Sequence, residues 1–176
     1  MKLESNRIFI NSKEVLPNSA FIAMKGPYKD GHDYIEEAIS LGANQVILDN
    51  KDYYNRLRKK FDKQVKFILV NDSKQELYNI AYKKRSDNIN IPIIAVTGSS
   101  GKTTTKAMLD HILSGSYNIL KTPGNNNNLI GVPLALLKLS NDHNFGVFEL
   151  GTNSLGEIKK LAELVRPKYA VLTNVS

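Results

Sequence analysis

Residues 93–105 read Ile93-Ile94-Ala95-Val96-Thr97-Gly98-Ser99-Ser100-Gly101-Lys102-Thr103-Thr104-Thr105, and this stretch decides how the chain is read. Ile93–Thr97 is a continuous apolar, β-branched run, the pattern of a strand buried on both faces. Gly98 and Gly101 allow a tight turn that points successive N–H groups inward. A helix is expected from Lys102 to about Leu113, and its N-terminus adds partial positive charge. Strand, glycines, Lys, Thr and helix together make a phosphate-binding loop. Lys102 can reach the β- and γ-phosphates of a nucleotide, and the Thr103 hydroxyl can coordinate Mg²⁺. Thr97, Gly98, Ser99, Ser100 and Thr104 complete the predicted cradle. The loop is the short form G-x-x-G-K-T; Val96 stands where the longer pattern has its first Gly.

Outward from the loop, strands alternate with helices. Strands are expected at Arg7–Ile10, Ser19–Lys25, Gln45–Asp49, Val65–Val70, Asn118–Thr122, Gly146–Leu150 and Tyr169–Val175. Helices are expected at Asp33–Leu41, capped by Asp33 and stopped by Gly42, near Tyr53–Phe61, from Ser73 to about Lys84, at Leu129–Leu139 and at Ser154–Val165. This alternation implies βαβ units and parallel sheets. The turn-rich Arg85–Pro92 is the expected domain boundary. The predicted fold is α/β: a small α/β substrate domain over residues 1–88, then a truncated parallel-sheet phosphate-loop ATPase domain over 89–176. So small a parallel domain is expected to leave a sheet edge or face uncovered, so the chain reads as the front of a longer protein.

Composition narrows the function classes. Hydrophobic residues make up 41% and charged residues 23% of 176, a globular balance that excludes a collagen-like or wholly disordered chain. There is no Cys, hence no disulfide framework, Cys-ligated zinc or thiol nucleophile. This fits a reducing, cytoplasmic location. No apolar run has the length of a membrane span, and Met1–Val15 contains no long apolar segment of a signal peptide. The net charge of +7 is spread evenly along the chain rather than gathered as in a nucleic-acid reader. The basic run Arg56, Arg58, Lys59, Lys60 and Lys63 reads as a solvated helix face. No nucleic-acid or membrane partner is expected, and the chain is expected to be monomeric.

Two further segments carry chemistry. Glu149 ends the strand Gly146–Leu150, and ligands of parallel sheets collect at the carboxyl ends of the strands. The Asn-rich loop from Thr122 to Pro133 lies at another strand end, where Asn side chains can donate to phosphate or sugar.

Together, TGSSGKTTTK (97–106), TPGNNNNLIGVP (122–133) and FELGTNSLGEI (148–158) resemble the Mur ligase family, and FIAMKGPYKDGHDYIEEAISLGANQVIL (21–48) resembles its substrate-domain stretch. The resemblance runs from about Asn11 to Ser176. Within the family, the Asn-rich loop is most similar to that of the member using D-alanyl-D-alanine. The resemblance implies a UDP-muramoyl-peptide domain, the first part of the central ATP-binding domain, and a remainder beyond Ser176. It implies an ATP-dependent ligase of peptidoglycan precursor synthesis that joins D-alanyl-D-alanine to UDP-MurNAc-tripeptide through an acyl phosphate. The 176 residues alone are expected to be catalytically incomplete.

By matching positions, Lys102 and Glu149 are catalytic, Thr103 holds a first Mg²⁺ and Glu149 a second. Asn127, Asn128 and Asn153 are candidate substrate contacts, as are Ser12, Asp30, Gly31 and His32. The family has Asp-Ser-Arg where this chain has Asn11-Ser12-Lys13, and a Lys lacks the bidentate fork of an Arg. Leu129 stands where that member often has Glu. Two other readings remain: a sibling ligase adding a single amino acid, and a short protein that binds nucleotide or UDP-sugar without catalysis.

Overall fold

The computed structural model describes residues 7–175. Met1–Asn6, part of the segment read for a signal peptide, and Ser176 lie outside them. The chain divides into a first unit ending at Leu77 and a second beginning at Tyr78.

The first unit carries a four-stranded parallel sheet. Its strands are β1 (Ile8–Phe9), β2 (Ser19–Ile22), β3 (Ala43–Leu48) and β4 (Lys66–Leu69), in the order β1-β2-β3-β4. Helices α1 (Ile35–Ser40) and α2 (Lys51–Phe61) connect β2 to β3 and β3 to β4. Phe21, Val46 and Leu48 on the strands, and Ala23 just after β2, pack with Ile35, Ala38 and Leu57 on the helices, with Val15 and Val65 closing the core. Gly42 sits at φ +104°, where a Cβ would also meet Pro17 Cα at 2.8 Å, so it ends α1 as expected. The N-terminus of this helical segment differs from the expectation. The capping residue is Asp30, not Asp33: its Oδ1 accepts from His32 N at 3.0 Å, and a single 3₁₀ turn, Gly31–Tyr34, precedes α1. A carboxylate one residue before the first turn reaches the free N–H groups, whereas Asp33 already lies inside the turn.

Arg56, Arg58, Lys59 and Lys60 of the basic run lie on α2, and Lys63 in the turn after it. Lys60 pairs with Glu36 at 2.6 Å and Arg58 with Asp62 at 3.7 Å, while the Arg56 guanidinium lies over the Tyr53 ring.

The second unit holds β5 (Ile93–Thr97), β6 (Ile119–Lys121), β7 (Phe145–Glu149) and β8 (Tyr169–Leu172), parallel throughout in the order β6-β7-β5-β8. Helices α4 (Lys102–Ser114), α5 (Gly131–Leu137) and α6 (Glu157–Val165) supply the crossovers. Ile93, Val96, Val147 and Phe148 of the central strands are buried with Val132, Leu136, Leu161 and Leu164 of the helices. β8 is an edge strand, and its Tyr169 and Leu172 are more than half exposed, matching the expected uncovered edge.

The domain boundary is expected at Asn88; the division between the compact units falls earlier, between Leu77 and Tyr78. α3 (Ser73–Asp87) runs through it, and the C-terminal part of α3 belongs with the second unit. The reason is Arg85. Its guanidinium is buried and donates to Val165 O (2.6 Å), Asn88 O (2.7 Å), Ile91 O (3.0 Å) and Arg166 O (3.0 Å). It satisfies the carbonyls at the C-terminus of α6, where a cation is favoured. Arg166 there has φ +45°. Burial, with the neighbouring Arg166 charge, lowers the Arg85 pKa from its ordinary value.

Candidate active site

The site is built at the carboxyl ends of β5, β6 and β7. The β5–β7 register places Val96 opposite Glu149, so the phosphate loop leaves the sheet beside the last residue of β7. Gly98 and Gly101 adopt φ +138° and +79°. At Gly98 the space matters as much as the dihedral, because a Cβ would fall 2.1 Å from Thr173 Oγ1. The Lys102 ammonium folds back over the loop and donates to Gly98 O at 2.7 Å and Ser99 O at 3.2 Å. The first-turn N–H groups of α4 have no carbonyl four residues earlier in a helix, leaving donors at the loop.

β8 fastens the loop from its other side. Ser99 N donates to Asn174 O (3.1 Å) and Ser100 N to Asn174 Oδ1 (2.8 Å), while Asn174 Nδ2 donates to Ser100 Oγ (3.0 Å). Thr173 Oγ1 donates to Thr97 O at 3.2 Å. Thr97 Oγ1 in turn donates to Leu150 O at 3.0 Å. These bonds define the loop before any ligand is considered. Thr104, on the first turn of α4, is exposed.

Glu149 is only 2% exposed. Its carboxylate accepts from Thr103 Oγ1 (3.1 and 3.2 Å to its two oxygens) and from Asn127 Nδ2 (2.9 Å), and pairs with Lys106 Nζ at 3.1 Å. Its backbone N–H donates to the buried Thr122 Oγ1 at 3.0 Å. Burial pushes the Glu149 pKa up, but hydrogen bonds from Asn127 and Lys106, the Lys106 charge and the Thr103 hydroxyl outweigh it, so the pKa lies below the ordinary value of 4.5. The carboxylate is ionised at neutral pH. Gly151 makes room for Asn127: a Cβ there would fall 2.7 Å from Asn127 Cγ.

Thr103 and Glu149 present hard oxygen donors beside a phosphate loop, the donor type that Mg²⁺ takes. Two glycines at positive φ and an ammonium lying on the loop suit phosphate. The residues present therefore fit a magnesium nucleotide. The family resemblance implies separate ions at Thr103 and Glu149; the structure hydrogen-bonds the two side chains directly.

The Asn candidates separate. Asn127 touches Glu149. Asn128 Oδ1 accepts from Ile130 N (3.0 Å) and Gly131 N (2.8 Å), so its oxygen is spent on the turn that leads into α5. Asn153 lies in the exposed loop after β7, and its N–H donates to Glu157 Oε2 at 2.7 Å.

The first-unit candidates form another cluster. The His32 ring is buried at 2% exposure. Nδ1 lies 2.6 Å from Asp30 Oδ1, and Nε2 lies 3.2 Å from Asp49 Oδ1 without completing a hydrogen bond. It is neither a surface turn residue nor a group presented to solvent. Gly31 packs on the Met24 backbone, where a Cβ would come within 2.7 Å of Met24 O. Ser12 is buried and donates to the Glu37 carboxylate.

Lys106, Thr122 and Asn174 are site residues that the sequence reading did not single out. Lys106 was detectable, since it follows Thr103 by three residues on one helix and so shares its face. Thr122 and Asn174 needed the strand order.

The comparisons with known proteins follow this geometry. Residues 4–98 match the Mur ligase family catalytic domain, and residues 96–176 match the Mur ligase middle domain. The UDP-N-acetylmuramoyl-tripeptide–D-alanyl-D-alanine ligase of Rickettsia prowazekii is 39% identical over 97% of this chain and 36% of its own length. That of Treponema pallidum is 36% identical over 96% of this chain and 37% of its own. The crystal structure of the MurF ligase of Thermotoga maritima in complex with ADP superposes with a TM-score of 0.81 at 36% identity, covering 99% of this chain and 39% of that one. The chain thus spans a little over a third of the length of these relatives. Two adjoining family matches span nearly all of it, and the chain belongs to the Mur ligase family.

Proposed function

We propose that this chain is the substrate-domain and nucleotide-loop portion of an ATP-dependent ligase that joins D-alanyl-D-alanine to UDP-MurNAc-tripeptide. The observation that carries the reading is the Thr103–Glu149 contact beside the Gly98–Lys102 loop. The similarity to relatives named for this reaction supports the choice of substrates.

In this reading the terminal carboxylate of the tripeptide attacks the γ-phosphate of ATP, giving an acyl phosphate and ADP. The amine of D-alanyl-D-alanine then attacks the acyl carbon and releases phosphate. The first step brings two anions together, so its main demand is electrostatic. Lys102 and the first-turn N–H groups of α4 take the phosphate charge. Thr103 and Glu149 hold Mg²⁺, which when bound neutralises phosphate charge and orients the oxygens. Asn127 fixes the rotamer of Glu149. Residues 1–88 bind the UDP-muramoyl peptide and 89–176 begin the ATP domain. The Ser12 and Asp30–His32 segments shape the UDP-substrate region through their backbone, since His32 is closed within the fold. The protein acts in the cytoplasm as a monomer on small-molecule substrates.

Among the described residues, no helix is long and apolar enough to cross a membrane. Ligation needs the further part that the relatives carry, so the 176 residues alone are expected to bind nucleotide without turnover. The test is ADP release by a protein that includes that further part. Release is expected only when UDP-MurNAc-tripeptide and D-alanyl-D-alanine are both present. Release coupled to a single amino acid would reassign the chain to a sibling ligase.

A further inference from the structure

Lys106 has no part in the reaction as derived above, yet it is among the most buried charges of the second unit. Its side chain is 7% exposed. The ammonium donates to Gly124 O at 2.7 Å and lies 3.1 Å from Glu149 Oε2. The Gly124 carbonyl tethers it from the far side, so it is held in place against the carboxylate. The carboxylate that faces Thr103 is therefore already matched by one full positive charge.

We propose that Lys106 makes divalent-cation binding at Thr103–Glu149 conditional on the nucleotide. The inference rests on the reading of those two residues as metal ligands. Mg²⁺ sheds water reluctantly and is held by one or two carboxylates together with substrate phosphates. Here a bare cation meets a single carboxylate whose charge is cancelled, with an ammonium a few ångströms further on. With the carboxylate and the ammonium both out of water, that repulsion is less screened than between exposed charges. The nucleotide changes the balance, because its phosphates bring several negative charges to the loop. The cation then arrives on phosphate, and Glu149 completes its shell without having to attract it alone. A merely structural strut at Lys106 predicts no such dependence.

The test uses Mn²⁺ as the probe, with free Mn²⁺ read by electron paramagnetic resonance. The 176-residue chain and its Lys106→Met and Lys106→Arg variants are titrated with Mn²⁺ alone, then with Mn²⁺ and a non-hydrolysable ATP analogue. Lys106→Met is expected to bind Mn²⁺ alone about tenfold or more tightly than the unaltered chain. Lys106→Arg, which keeps the charge, is expected to behave like the unaltered chain. Circular dichroism checks the fold, and Lys106→Gln carries the same comparison if the Met variant does not fold. Equal affinity for Mn²⁺ alone in the charged and uncharged variants, with nucleotide-dependent binding intact, overturns the proposal for Lys106 by itself. So does tight Mn²⁺ binding by the unaltered chain without nucleotide. Absence of Mn²⁺ binding even with the analogue overturns the metal-ligand reading and this proposal with it.

Discussion

The two units each place a buried polar cluster at the carboxyl ends of a parallel sheet, and the clusters differ in what they leave over. In the first unit, His32 sits between Asp30 and Asp49, and Asp30 also caps the turn that carries the ring. The Asp30 carboxylate holds both the His32 N–H and the ring Nδ1, so the cluster holds a turn. In the second unit, Glu149 gathers Thr103, Lys106 and Asn127, but Thr103 is exposed and the phosphate loop lies alongside. That cluster keeps oxygen donors on an open side. A buried polar group closed in by its own turn is structural; one with an exposed hydroxyl and a helix N-terminus beside it can take a ligand.

The strongest way to break the comparison is Glu149→Gln. It leaves the Lys106 ammonium buried without its counter-charge, and removing one partner of such a pair costs about 3–5 kcal/mol. The unfolding free energy from denaturant titration is expected to fall by that order, and the nucleotide-dependent Mn²⁺ signal is expected to be lost. Lys102→Ala comes next and acts differently. Among the described residues its ammonium bonds only to loop carbonyls, so the unfolding midpoint is expected to stay unchanged. ATP-analogue affinity is expected to drop roughly 10–100-fold, the worth of a lost charge-assisted bond, as calorimetry would show.

His32→Ala sharpens the contrast from the other side. A loss of about 1–3 kcal/mol of stability is expected, with two carboxylates left near each other and a buried hole. ATP-analogue affinity is expected to be unchanged; a fall would mean that the clusters do not divide as described.

The smallest effect is that of Asp30→Asn, about 1 kcal/mol for the loss of a charged cap. Burial raises the Asp30 pKa, but the backbone N–H of His32, the His32 ring and the Lys25 charge outweigh it, and the folded value lies below the ordinary 3.8. A depressed carboxylate stabilises the fold above its ordinary value and loses that contribution as the pH falls through the folded value. The stability gap between Asp30→Asn and the unaltered chain is therefore expected to be full near pH 7 and to close below about pH 3.8, as acid titrations of both would show.

The phosphate loop was legible in the sequence because all its parts are consecutive: an apolar strand, two glycines, Lys102 and Thr103. Glu149 was legible from its place at a strand end. The cap at Asp30 was misjudged and the buried role of Arg85 was missed for a common reason. Local pattern favours Asp33 and the turn-rich Arg85–Pro92, whereas the outcome depends on which N–H a carboxylate reaches and which carbonyls a guanidinium meets eighty residues away. The substrate candidates followed the same division. Asn127 met the carboxylate, while the Asn128 oxygen was taken up by the turn leading into α5.

By itself, then, the sequence determined the parallel α/β class, the phosphate loop and the family, since periodicity and contiguous motifs are local properties of the chain. The tertiary structure alone decided that Lys106, Thr122 and Asn127 surround Glu149, that Asn174 fastens the loop, and that His32 is closed off. Those contacts join residues as much as 75 positions apart, from Ser99 to Asn174. They depend on the strand order β6-β7-β5-β8, which follows from packing across the sheet.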